Sequence, residues 1–176
     1  RSVILLFSKD SVTLNISGKS YKDRETFFLE LNKALTVLNS IGISESTGMM
    51  LRKLNVVQFN REQNDISSSL PSFIENIFQP DLVGNLSYFP TLEFIERSMH
   101  AAKFIKGDDS LSVEFGFILN KKDINQQNGQ LITDIELLSN KEFNLESIKD
   151  VYELLSDEIY RVFHWVYTKE AKEIMR

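Results

Sequence analysis

The run from Asn144 to Arg176 constrains this chain more than any other stretch. Leu145, Ile148, Val151, Leu155, Ile159, Val162, Phe163 and Val166 recur at three- and four-residue steps, the spacing that lines side chains along one stripe of an α-helix. Asp150, Glu153, Asp157 and Arg161 fall opposite and keep a solvated face. Asn144 is placed to cap the helix, because its side-chain oxygen can accept from a free N–H of the first turn. Glu146 suits the positive end of the helix dipole. Thr168 can cap a short second helix from Lys169 to Met175. From Leu145 to Val166 the helix would run roughly 33 Å, enough to cross a small domain. Such a stripe needs a facing layer, and the expected one is a sheet.

The apolar arc of this helix is also wide. Tyr152, Tyr160 and Tyr167 flank the stripe on one side, Leu154 and Trp165 on the other. A curved sheet gripping the helix from both sides accounts for such an arc. So does a partner seated on one aromatic flank, since Tyr and Trp join a large apolar area to a polar tip. Tyr152, Tyr160, Trp165 and Tyr167 are therefore the candidate partner-binding residues.

Upstream, the strand signals dominate. Ser2 to Phe7 and Val12 to Ile16 read as a hairpin around Ser8-Lys9-Asp10, and the unbroken run Val3 to Phe7 suggests burial on both faces. Gly18 to Tyr21 is a connector. Asp23 caps a helix from Arg24 to Ile41 with Phe27, Leu31, Ala34, Leu35, Leu38 and Ile41 inward, and Gly42 stops it. Met49 to Asn60 is a long strand with polar residues on both faces. Arg61 to Asp65 is a polar loop. Ser67 to Gln79 suggests a short helix capped by Ser69, with Pro71 in its first turn. Leu92 to Lys106 reads as a strand, with helix as the competing assignment. Gly107-Asp108-Asp109 makes a turn. Leu111, Val113, Phe115, Phe117 and Leu119 alternate with Ser112, Glu114, Gly116 and Ile118, the clearest strand pattern in the chain. Lys121 to Gly129 is a polar loop, and Gln130 to Leu138 is the last strand. The order β-β-α-β-(α)-β-β-β-α predicts an α+β fold, an antiparallel sheet packed against the long C-terminal helix. A length of 176 residues fits a single domain, 1–176.

Composition narrows the functional classes. The formal charge is −5, and the 20 Lys and Arg residues are scattered. Nucleic acid and acidic membrane surfaces call for clustered positive charge, so neither is an expected partner. No stretch approaches the roughly 20 apolar residues of a membrane span. No leader pattern is visible in the chain, which opens on Arg1 rather than Met. With no Cys, thiol catalysis and thiolate metal sites are excluded, and a cytoplasmic location is the default expectation.

Little in the sequence carries chemistry. His100 and His164 are the two histidines, neither near another ligand type at metal spacing. His164 reads as a surface residue, and His100 could meet a carboxylate in space. Asp134 and Glu136 stand two apart on a strand, so both project from one face. With a third ligand they could hold Mg²⁺, or act as an acid–base pair. A solvated sheet face is the simpler reading of the pair. Arg52, Lys53 and Arg61 read as edge-strand charges. No glycine-rich phosphate loop or nucleophile motif occurs. No cofactor and no metal site is expected.

Two stretches also resemble a known family. Arg52-Lys53-Leu54-Asn55-Val56-Val57-Gln58-Phe59-Asn60 is similar to the strand "RRIGLRYIN" of a sporadically distributed, uncharacterised bacterial protein family. Leu131-Ile132-Thr133-Asp134-Ile135-Glu136 is similar to its "LLxDID", and Phe163 through Thr168 to Met175 to its closing "FexxITxxxrxxM". Val57 and Gln58 stand where that family tends to carry Arg and Tyr. The resemblance implies a cytoplasmic bacterial accessory protein and brings no catalytic residue with it.

The leading expectation is thus a non-enzymatic interaction module, meeting an unknown protein or a second copy of itself (a homodimer) through the C-terminal helix or a sheet edge. The alternative is a small apolar ligand held between sheet and helix by Phe115, Phe117, Phe163 and Val166. A metal-dependent hydrolase or nuclease using Asp134 and Glu136 comes third.

Overall fold

The computed structural model describes residues 3–8, 10–17, 23–60, 70–83, 96–120 and 128–174. Helices and antiparallel sheets combine in an α+β fold with a long helix near the C-terminus. The chain separates into two compact units, Arg1–Thr47 with Glu142–Val151, and Gly48–Lys141 with Tyr152–Arg176.

In the first unit, β1 (Val3–Phe7) and β2 (Val12–Ile16) form an antiparallel hairpin. Ser8 and Ser11 close its turn through backbone and hydroxyl hydrogen bonds. Val3, Ile4 and Leu6 are exposed, contrary to the burial expected of a continuous apolar run. The reason is topological: among the described residues this sheet has two strands, so no further strand flanks it. Helix α1 (Arg24–Ser40) starts where expected, with the Asp23 carboxylate accepting from Thr26 N–H at 2.6 Å. Ala34, Leu35 and Leu38 are buried. Ile41 is instead exposed, because it is the C-cap residue just past the last helical turn. Gly42 ends the helix with φ of 82°, a conformation that costs a residue with a Cβ. A short ladder pairs β3 (Glu45–Ser46) with β8 (Phe143–Asn144). Asn144 then accepts from Glu146 N–H at 2.9 Å and opens a 3-10 turn, Leu145–Ser147, before α4 (Ile148–Val166) begins.

The second unit is built on a four-stranded antiparallel sheet. Its strands are β4 (Met49–Asn60), β5 (Arg97–Lys106), β6 (Asp109–Leu119) and β7 (Asn128–Ser139), in the spatial order β4-β7-β6-β5. The β5–β6 turn places Gly107 at φ 61°. The alternation in β6 resolves as expected, with Val113, Phe115, Phe117 and Leu119 on the buried face and Glu114 exposed. Leu131, Thr133 and Ile135 of β7 share that inner face. Gly129 sits opposite Phe59, and a Cβ there would stand 2.6 Å from the Phe59 ring, so the glycine makes room for it.

Helices cover this inner face. Ile159, Val162 and Val166 of α4 join the sheet residues in one hydrophobic cluster, with Phe73 and Ile77 of α2 (Leu70–Ile77), Val83 of α3 (Pro80–Val83) and Ala171 of α5 (Lys169–Ile174). The connector read at Gly18–Tyr21, the loop read at Arg61–Asp65 and the Ser69 cap lie outside the described residues.

The breaks between α2 and α3 and between α4 and α5 are stitched together. Gln79 N–H donates to Val166 O at 3.0 Å, Thr168 N–H to Ile77 O at 3.1 Å, and the Thr168 hydroxyl to Asn76 O. The Thr168 hydroxyl oxygen also accepts from Ala171 N–H at 3.2 Å, so Thr168 caps α5 as the sequence suggested. Tyr167 lies in this seam, bridged to Phe78, and its phenol meets the buried hydroxyl of Thr133 on β7. Burial pushes the Tyr167 phenol up to about 12, against the pull of the Thr133 hydrogen bond.

This polar pair sits among apolar residues, so either member left alone is a buried, unsatisfied hydroxyl. Tyr167→Phe and Thr133→Val are each expected to cost about 1–3 kcal/mol, while the double variant costs well under the sum. Urea denaturation of the four proteins measures this; strictly additive losses would contradict it.

Candidate interaction surface

The four aromatic residues of the C-terminal helix divide. Tyr152 and Tyr167 are buried. Tyr167 stacks on Phe78 at 5.6 Å and meets Phe163 at 5.0 Å, inside the cluster. Tyr160 and Trp165 are 56% and 44% exposed. Tyr160 packs edge-on to His164 at 4.2 Å. On the other flank, Trp165 meets the Phe104 ring of edge strand β5 at 6.3 Å.

That second flank carries a further exposed apolar residue. Leu154 is 72% exposed and lies three turns before Trp165 on the same side of α4. Phe104, Leu111, Arg161, Val162 and Trp165 line an open groove of about 410 Å³ between the helix and strands β5 and β6. Glu158 and Arg161 stand between Leu154 and Trp165, ion-paired at 3.0 Å along the helix and exposed to solvent. Phe104 and Leu111, which contribute the sheet side of the groove, were not singled out from the sequence. Their position at the end of the β5–β6 hairpin, opposite each other in register, is what places them there.

The residues expected to line a ligand pocket lie elsewhere. Phe115, Phe117 and Val166 are core residues, with Phe115 against Phe78 at 5.6 Å and Phe117 against Phe73 at 6.3 Å.

Asp134 and Glu136 do share the outer face of β7. Asp134 takes a two-point contact from the Arg52 guanidinium of β4, with Arg52 Nε donating at 2.8 Å. This hydrogen bond and charge, with smaller contributions from Glu136 and Glu114, hold Arg52 even more firmly protonated than usual. A carboxylate bound to arginine on an exposed sheet face is occupied as an ion-pair partner. Among the described residues, no group of three His, Asp or Glu is placed to hold a metal ion.

His100 lies on the inner side of β5, stacked on Phe115 at 5.2 Å, with Ser98 Oγ 3.3 Å from its Nε2. Among the described residues its partners are thus an aromatic ring and a hydroxyl. Desolvation lowers its pKa below the usual 6.5. His164 is half-buried, between Tyr160 and Phe163. Among the described residues, no helix is long and apolar enough to cross a membrane.

No protein-family model, curated protein or solved structure matches the chain.

Two measurements follow from these environments. The Arg52–Asp134 pair is exposed, so Arg52→Ala should shift stability by no more than about 1 kcal/mol; a larger loss in urea would mean that the pair is structural. For His100 the folded pKa lies below the unfolded one. Stability is therefore full above about pH 6.5 and falls as the pH drops towards the folded value, because the unfolded chain takes up the proton more readily. Relative to His100→Gln, the native protein should lose stability between pH 7 and pH 5. Parallel curves would show that His100 is not the group responsible.

Proposed function

We propose that this protein is a non-enzymatic protein-interaction module whose contact surface is the Leu154–Trp165 flank of α4 with the adjoining groove. The observation that carries the reading is Trp165: a large aromatic left nearly half exposed beside an open apolar groove. Exposed aromatic residues seated by a pocket are the usual anchors of protein interfaces. The exposed Glu158 and Arg161 between Leu154 and Trp165 supply charges that a complementary partner can engage. Asp134, engaged by Arg52, supports no hydrolytic centre as well as it supports a sheet-face ion pair.

A second reading, a small apolar ligand, draws on the same groove, whose lining is mainly aliphatic and aromatic. It covers Trp165 but leaves Leu154 in water.

A photo-crosslinking amino acid at position 154 of the full chain, expressed in its natural host, separates the two. A discrete protein adduct that disappears with Trp165→Ala is the expected result. Absence of any protein adduct would overturn the interaction reading. Native mass spectrometry showing a bound mass of a few hundred daltons, lost in Trp165→Ala, would then favour the ligand.

A further inference from the structure

Resting on the interaction reading, we propose that the partner on this flank is a second copy of the chain, docked with its α4 antiparallel. The argument is the order of residues along the stripe. Leu154, Glu158, Arg161 and Trp165 follow at steps of four, three and four, so at about 100° per residue they share one narrow face. Leu154 and Trp165 are equidistant from the midpoint of the stripe, and so are Glu158 and Arg161.

A two-fold axis at that midpoint therefore sets Leu154 against the partner's Trp165 and Glu158 against the partner's Arg161, each contact occurring twice. An isologous interface requires this self-complementarity, and an arbitrary partner does not. A parallel arrangement would oppose Arg161 to the partner's Arg161 and Glu158 to the partner's Glu158, so the charges also select the antiparallel one. The groove beside Trp165 offers the incoming Leu154 an apolar seat formed by Phe104, Leu111 and Val162. One occupant thus covers both exposed apolar ends of the stripe, which lie roughly 16 Å apart along the helix.

The internal Glu158–Arg161 pair does not oppose this. It is exposed and contributes little alone, so both side chains can turn to the partner at small cost. Three helical turns bury less than the about 800 Å² per partner of a standard interface, so the dimer is expected to be reversible and dependent on concentration.

Charge reversal tests the pairing without touching the core. In Glu158→Arg every charged contact across the axis becomes cation on cation, and in Arg161→Glu anion on anion. Each single variant of the full chain should weaken dimerisation roughly tenfold or more in sedimentation equilibrium. Equimolar mixing of the two variants should restore a dimer, because unlike charges then face each other. The double variant in one chain should dimerise like the native protein. Leu154→Asp should dissociate the dimer in all backgrounds, with circular dichroism unchanged. A native chain that stays monomeric, or a dimer indifferent to both reversals, would overturn the proposal. If the chain is monomeric while the position-154 adduct to another protein persists, self-pairing fails and the interaction reading stands; if no adduct forms either, both fail.

Discussion

The larger unit depends on covering the inner face of its sheet. Val113, Phe115, Phe117, Leu131 and Ile135 present a continuous apolar surface from the two central strands. Leaving any one of them in water would forgo about 1.5–3 kcal/mol. The exposed Arg52–Asp134 and Glu158–Arg161 pairs contribute at most about 1 kcal/mol each by comparison. The Ile159–Val162–Val166 stripe of α4 therefore fixes where the C-terminal helix lies on the sheet, and its flanks follow from that position. The side facing Phe104 and Leu111 is left as an open groove, β5 being the edge strand of the sheet among the described residues.

The elements with a strong period were legible beforehand. The alternation of β6, the stripe of α4, the Asp23 and Thr168 caps and the bounds of β4 all follow from local pattern. What failed to follow depends on partners distant in sequence. The exposure of the β1–β2 hairpin depends on how many strands its sheet has, which no run of apolar residues encodes. The short β3–β8 ladder joins segments far apart in the chain and has no periodic signature.

The candidate surface shows the same division more sharply. Helical projection places Tyr152, Tyr160 and Tyr167 on one flank, yet their fates differ. Tyr152 lies closest to the centre of the buried stripe and goes inside with it. Tyr160, a further 80° or so round the helix, stays out. Tyr167 cannot be projected at all, because α4 ends at Val166. Its backbone turns to pair with Phe78, and its hydroxyl needs Thr133 on a different strand. The seam that ends the helix is formed with residues 76–79, almost ninety positions upstream. Trp165 and Leu154 stay outside because their angular position clears the sheet, and this much the sequence did place together.

An interaction through the helix flank is also more consistent with the sheet edges than strand addition is. Both edge strands carry guards against pairing. Lys53 stands on the inner-facing side of β4, among positions that otherwise turn to the core, and Arg97, Lys103 and Lys106 line β5. Lysines and inward-pointing charges at an edge disfavour an added strand, which would have to desolvate them. The helix flank instead carries the Glu158–Arg161 pair. Its charges are one acid and one base in an order that a second copy can neutralise, and its apolar ends are of unequal size, so that a small Leu154 can enter where a large Trp165 forms the wall. Basic side chains thus line both backbone edges, while the side-chain surface beside Trp165 is set by the fit of α4 on the sheet.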